Sequence, residues 1–489
     1  MAPTLVLALA IASLVSCVVV QFLQKKRNTK GHPLPPGPPP LPFVGNAIGI
    51  DTDRPWLTYS KWGTEYGEIV YSRLFSQDVV IINSERIARD LLDRRSHNYS
   101  TRPPELKDVL DFFSHDYSST FLPYSDKWRL RYIPLKAVTS FRPIQMRHAH
   151  RLIINLLASS EVYGTHFYTF STSIIMSIMY DYAIAPIDDT FLKLIQRSLE
   201  IDIKVFRPEV AAFLTEFPIL KKLPAWLPGA SFVRDAIVQR TLASTIVDMP
   251  FEHVKNNMAS SKPAGTAAPS VVSNALNRML VKTEDEGEAA VLEEGIKEAS
   301  ATGYAGSTTS TLCIFLLAMV LYPEVQARAQ AEIDSIIGET LERLPDWDDR
   351  ASLPYINAVI LETLRWFPVA PLGVAHAAVN EDIYEGYYIP KGQSNIIISS
   401  YARFMSRNPD KYPNPSRFIP ERHMSKVNPA DISFVFGFGR RVCAGRHVAD
   451  ASLFAAIVNI LAVFRVERAP GWNIGPDAEG VKWTGGLTT

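Results

Sequence analysis

The sequence predicts a mostly helical domain with small β-sheets, preceded by one transmembrane helix. Three observations carry that prediction. Apolar residues recur at helical spacing over several long segments. Runs with strand character are few and short. From about Leu41 onward no internal repeat and no second long linker divides the chain. The expected organisation is an anchor over residues 1–24, a basic and proline-rich hinge over 25–46, and one folded domain over 47–489.

Residues 1–24 carry no charged side chain, and Leu5 to Leu23 is apolar apart from a few serines and Gln21. That length crosses the hydrocarbon core of a bilayer. Lys25, Lys26 and Arg27 follow at once. Positive residues favour the cytoplasmic side, which puts the rest of the chain in the cytosol, with membrane lipid as a partner. A cleaved signal peptide is the rival reading. It carries its positive charge before the apolar stretch, whereas here the charge comes after. Pro33 to Pro42 then reads as a stiff extended spacer, since proline locks φ and removes donors. Asn98-Tyr99-Ser100 matches a glycosylation sequon that a cytosolic domain would leave unmodified.

Within the domain, helical periodicity covers Leu192 to Ile203, Val271 to Val281, Ile296 to Tyr322, Glu324 to Ile337, Leu353 to Trp366 and Arg446 to Phe464. Short strands are expected at Ile69 to Leu74, Val79 to Ile82, Tyr387 to Ile389 and Asn395 to Ser399. Ala259 to Ser270, rich in Ala, Ser, Pro and Gly, reads as a surface loop. The chain of 489 residues balances 50 basic against 50 acidic side chains, so nothing argues for nucleic acid. Its three cysteines show no disulfide framework and fit a reducing compartment.

The chemistry concentrates in Phe436-Gly437-Phe438-Gly439-Arg440-Arg441-Val442-Cys443-Ala444-Gly445. Glycine lets a backbone turn tightly and approach a flat ligand. A sulfur at the mouth of a helix, flanked by cationic side chains, is favoured as the thiolate. A lone cysteine is commonly a small buried hydrophobe. A dinucleotide loop needs a third glycine where Val442 stands. Zinc is disfavoured because Cys17 and Cys313 are isolated and no CxxC occurs. The spacing Phe-x-x-Gly-x-Arg-x-Cys-x-Gly resembles the haem-binding loop of the cytochrome P450 family, with Phe436, Gly439, Arg441, Cys443 and Gly445 on its positions.

The resemblance extends along the chain and implies the cytochrome P450 fold with haem b, its iron bound axially by the Cys443 thiolate. Glu362 and Arg365 share one helix face. Alone they read as a solvated ion pair. In the family such an ExxR pair interlocks with an arginine from a stretch like Pro415 to Arg422, which here is Arg422. For the haem propionates the resemblance implies Arg441, Trp128, Arg131 and His376; the family's WxxxR arginine position holds Tyr132. On the Ile296 to Tyr322 helix, Gly303 and Gly306 each cost about 1 kcal/mol against alanine. The family places Ala-Gly-x-Asp/Glu-Thr over the haem, which makes Thr309 the threonine that guides protons to bound oxygen. Its usual acid is replaced by Thr308, and a register slip of one residue would make Thr308 the key threonine.

The implied activity is insertion of one atom of O2 into a lipophilic small molecule, a terpenoid or other secondary metabolite, as in microsomal fungal members. No flavin or nicotinamide fingerprint is present, so electrons are expected from NADPH through NADPH–cytochrome P450 reductase. Arg440, Arg446, Lys127, Arg129 and Lys136 are the expected docking charges. Phe112, Phe113, Phe121, Phe213 and Phe217 are the expected apolar pocket walls. A haem-thiolate isomerase or dehydratase, a catalytically silent haem protein and a tethered binding protein without haem stay open. The link from Trp128 to Phe141 and the stretch after Gly485-Gly486-Leu487 are short against the family's pattern.

Overall fold

Proline punctuates the helices. Five of them begin on it: α1 (Pro55–Tyr66), α2 (Pro104–Phe112), α7 (Pro208–Glu216), α12 (Pro323–Ile337) and α13 (Pro354–Trp366). At the first position its fixed φ suits the helix, and its missing N–H would be unpaired there anyway. The other α-helices of six residues or more among the described residues are α3 (Asp126–Arg131), α4 (Val138–Ala158), α5 (Tyr163–Tyr180), α6 (Thr190–Val205), α8 (Ser231–Ser260), α9 (Val271–Lys282), α10 (Glu286–Ala301), α11 (Ser307–Leu321) and α14 (Arg446–Val463). This computed structural model describes residues 30–51, 53–131, 138–185, 189–205, 208–260, 270–283, 285–304, 307–391, 396–400, 402–425, 431–472, 475 and 481. The expected anchor, the loop residues 261–269, Tyr132, Lys136, Ala305, Gly306 and the last eight residues lie outside them.

Among the described residues the strands form two small sheets. β1 (Ile69–Leu74) and β2 (Gln77–Ile82) make a tight hairpin, paired from Ile69↔Ile82 to Leu74↔Gln77. β3 (Asp382–Tyr384) and β4 (Tyr387–Ile389) make a second, and β5 (Ile396–Ser400) joins β2 in parallel. A parallel neighbour requires a crossover. Here that crossover is nearly the whole helical body, which ties the N-terminal hairpin to the region preceding the cysteine loop.

α14 lies at the centre and contacts α4, α11, α12 and α13. Val448, Leu453, Phe454, Ile457 and Leu461 are all buried. Its length and apolarity would also suit a bilayer, but a helix apolar all round is equally a core helix, and this one is enclosed by its neighbours. Gln145 of α4 anchors it, donating from Nε2 to Val448 O at 2.9 Å and Ser452 Oγ at 3.0 Å.

One expectation needs correction. The single helix from Ile296 to Tyr322 is two helices: α10 starts ten residues earlier, at Glu286, capped by Asp285, and gives way to a 3-10 turn at Thr302–Tyr304 before α11. Gly303 weakens the helix there, and Thr302 Oγ1 accepts from Ser119 N at 3.0 Å, tying the turn to another segment. The extended proline stretch is also fastened to both sheets. Tyr71 N donates to Pro36 O and Tyr388 N to Pro33 O, both at 2.8 Å. A Cβ on Gly37 would overlap the Tyr71 carbonyl oxygen, so only glycine permits this approach.

Candidate active site

The cysteine loop is built from tight turns. A 3-10 turn at Ser433–Phe436 ends at Gly437, whose φ of 81° favours glycine. A second turn, Gly439–Arg441, leads to Cys443, and Gly445 caps α14. Cys443 N donates to Phe436 O at 2.8 Å, closing the loop under the sulfur. Gly439 has φ 55°, its N–H is held by the Asp93 carboxylate, and a Cβ there would overlap Leu92 O. Gly445 has no such demand: a Cβ would meet Cys443 Sγ at an ordinary 3.9 Å.

The sulfur lies in a recess: the residue is exposed, yet burial pushes its thiol up. The Gly445 and Arg446 N–H groups and the Arg446 charge pull the other way. The expected help from both preceding arginines is not what the structure shows. Arg441 turns aside, donating from Nε to Ser100 O at 2.7 Å, from Nη2 to Leu122 O at 2.6 Å and from Nη1 to Ser119 O at 3.4 Å. Arg440 lies 5.1 Å over the Tyr124 ring. Adjacency in sequence does not put a long side chain beside its neighbour's sulfur.

What Arg441 builds instead is a buried cationic wall. Its guanidinium stacks 4.4 Å over Trp128, which is itself buried. Arg102, which sequence reasoning missed, lies alongside at 5% exposure, donating to Thr120 O (2.9 Å), Val374 O (3.1 Å) and Ala375 O (2.7 Å). His376 joins them with Nδ1 2.7 Å from Tyr99 O. Burial lowers Arg441 to about 10 and Arg102 well below its usual value, the neighbouring Arg441 charge adding to the latter. Burial and the Arg102 charge likewise hold His376 far down. Among the described residues no carboxylate pairs with either arginine. Unpaired buried charge is costly unless a counter-charge arrives. Two guanidiniums without a carboxylate, one of them on the loop that carries the exposed Cys443, therefore fit a dianionic group such as haem with its two propionates. Arg131 does not contribute a free charge: it pairs with the Glu298 carboxylate of α10 and donates to Asp116 O at 3.0 Å.

Glu362, Arg365 and Arg422 form a buried clamp. Arg365 grips Glu362 with Nε (2.7 Å) and Nη2 (2.8 Å), Arg422 Nε adds 3.1 Å, and Ile419 N donates at 2.8 Å. His423, also missed, places Nε2 2.9 Å from Oε2. Arg365 further donates to Ser406 O, Pro415 O and Arg417 O, fixing the segment before the loop. Burial favours the neutral acid, but the bonds from His423 and Arg365 hold Glu362 at about 2.

Thr309 Oγ1 donates to Phe167 O of α5 at 3.4 Å, and Thr308 is half-buried. Phe113 and Phe121 are buried and Phe112 is partly so, whereas Phe213 and Phe217 are more than 40% exposed and stack with Phe75 at the surface. The latter two are not pocket walls.

The family model described as Cytochrome P450 matches residues 35–482. Cytochrome P450 monooxygenase 136 of Postia placenta is 34% identical over 97% of this chain and 90% of its own length. Cytochrome P450 monooxygenase claR of Ampulloclitocybe clavipes is 34% identical over 92% and 83%. Cytochrome P450 monooxygenase ppsD of Aspergillus oryzae is 34% identical over 93% and 86%. Loop, cationic wall and likeness across nearly the full length agree: this chain belongs to the cytochrome P450 family, as a monooxygenase whose haem iron takes the Cys443 thiolate.

Proposed function

We propose that the protein inserts one oxygen atom into a lipophilic secondary metabolite, of terpenoid type, with electrons from NADPH delivered by NADPH–cytochrome P450 reductase. The observation that carries this is the exposed Cys443 in its glycine-rich loop together with buried Arg102 and half-buried Arg441, neither paired with a carboxylate among the described residues. When bound, the haem supplies oxygen activation, with the thiolate favouring O–O cleavage. The chain does the rest: Cys443 holds the iron, Arg441 and Arg102 bind the propionates, and Trp128 and His376 position them. Thr309 Oγ1 is the hydroxyl assigned to proton delivery, with Thr308 beside it where the family carries an acid.

Exposed Lys127 and the Arg129 and Arg440 pair flanking Tyr124 suit an acidic redox partner. Attachment to the endoplasmic reticulum membrane, single-pass with the catalytic domain cytosolic, is supported by the apolar residues 1–24, the basic residues after them, and exposed Phe43, Ile48, Ile219 and Trp226.

The test is the carbon monoxide difference spectrum of the reduced protein beside Cys443→Ala. The red-shifted band should appear in the first and vanish in the second, and its absence from the wild type removes the proposal. Thr308 keeps one alternative alive, an isomerase or dehydratase that needs no reductase. Substrate-dependent NADPH consumption with reductase distinguishes them. In that assay Thr309→Ala should raise the share of NADPH consumed without product severalfold, and Thr308→Ala should do so if the other hydroxyl is the proton donor.

A further inference from the structure

The break between α10 and α11 meets the cationic wall through one residue, Ser119. It lies on a turning segment after α2, where His115 N donates to Leu110 O, Ser118 N to His115 O and Phe121 N to Ser118 O. On one side, Ser119 N donates to Thr302 Oγ1 at 3.0 Å and Ser119 Oγ to the same oxygen at 3.2 Å. On the other, Ser119 O accepts from Arg441 Nη1 at 3.4 Å. The nitrogen and carbonyl of one residue are joined through a single Cα, so a shift at the Thr302 end is felt at the Arg441 end. The next residues continue the contact: Thr120 O accepts from Arg102 Nε at 2.9 Å and Leu122 O from Arg441 Nη2 at 2.6 Å.

A carboxylate would orient a guanidinium and neutralise it in the same act. A backbone carbonyl orients it and leaves the charge whole. Arg441 donates to the carbonyls of Ser100, Ser119 and Leu122, and Arg102 to those of Thr120, Val374 and Ala375. Residues 119–122 therefore aim two cations whose charge stays available to an anion.

Thr302 is suited to hold that segment. Its hydroxyl accepts twice from Ser119 and donates to Glu298 O, one turn back, at 3.3 Å, which uses its one donor and both lone pairs. Valine would keep the shape and make none of these bonds, whereas serine could make all three. A second tie leaves the same turn of helix. Glu298 pairs with Arg131 of α3, which donates to Asp116 O at 3.0 Å. The end of α10 thus grips the segment at two points. We infer that Thr302 is a positioning residue for haem: through Ser119 it sets the directions in which Arg441 and Arg102 meet the propionates. The inference rests on the propionate assignment made above and adds to it a residue that acts through the arginines.

The test follows haem leaving the full-length protein, read as its transfer to excess apomyoglobin, with the carbon monoxide band recorded alongside. Thr302→Val should speed transfer about fivefold, and Thr302→Ser should stay within about twofold of wild type. Arg441→Lys should itself lose haem faster. On that background Thr302→Val should add less than about twofold, because the arginine through which it acts is gone. A threonine that only stabilised the helix end would speed the loss equally on both backgrounds, and that result overturns the inference. So does an unchanged rate in Thr302→Val, or a rate that serine does not restore. Should Thr302→Val hold no haem at all, Thr302→Ser must bring the band back; a band missing from both overturns the inference in favour of a general folding role. A wild type that holds no haem sinks the propionate assignment, and this inference with it. A wild type that holds haem, with the expected pattern absent from the variants, sinks this inference alone.

Discussion

Glu362 holds a full charge at zero exposure because five donor atoms converge on it, from Arg365, Ile419, Arg422 and His423. Glu362→Gln leaves Arg365 and Arg422 buried without their counter-charge, and should cost roughly 3–5 kcal/mol at neutral pH by urea unfolding. The sign with pH follows from the depressed value. The folded carboxyl titrates near 2, below its ordinary 4.5, so its contribution is complete above about pH 4.5 and is lost as pH falls toward 2. The gap between wild type and Glu362→Gln should narrow across that window, and a constant gap would show that the clamp does not act through this charge. Gly439→Ala is a second test: positive φ and overlap with Leu92 O together should abolish haem retention, read as loss of the absorption band, whereas Gly445→Ala should retain it. At this scale the sequence was informative where partners are neighbours. Cys443 and its glycines are contiguous, so the loop was readable. Arg102 and His423 were not, because Arg102 bonds Ala375 and His423 bonds Glu362 across 273 and 61 residues. The expected thiolate stabilisation by Arg440 and Arg441 misled because side-chain direction, unlike adjacency, is set by tertiary partners.

Among the elements, hydrophobic periodicity located the helices well, and α6, α9, α12 and α13 start within two residues of the expected positions. The break between α10 and α11 was hidden, since nothing local forbids one continuous helix through Thr302 except a glycine. The deciding bond comes from Ser119, far away in the chain. If Gly303 is merely a weak helix former, rather than a residue demanded by packing, alanine should be accepted: its Cβ would meet only Ile175 Cγ2, at 3.6 Å. Gly303→Ala is therefore expected to be neutral or stabilising by up to about 1 kcal/mol. A loss of more than that would mean that the turn at Thr302–Tyr304 requires glycine. β3 escaped notice for a simpler reason, being three residues long and stabilised only by its hairpin partner.

Across the whole molecule, one surface is apolar where a water-facing domain would be polar. Phe75, at the β1–β2 turn, stacks with Phe213 and Phe217, each at 6.0 Å. Phe75 N also donates to Val44 O, which brings the segment carrying Leu41, Phe43 and Ile48 to the same place. Ile219 and Trp226 follow Phe217 and are 67% and 80% exposed. Contiguity of this kind marks a surface with an apolar partner. On the proposed membrane attachment, the partner of matching chemistry would be the bilayer holding residues 1–24, because residues 25–46 join that segment to this patch. The patch should then bind lipid without the anchor. A variant lacking residues 1–29 is expected to co-sediment with phosphatidylcholine vesicles, and Ile219→Ser with Trp226→Ser should weaken that partition at least tenfold, about the effect of withdrawing one large side chain from the apolar phase. Both proteins should keep the carbon monoxide band, since Ile219 and Trp226 are exposed side chains outside the cysteine loop. Equal sedimentation of the two would leave the patch without a membrane role and make the first 24 residues the sole attachment.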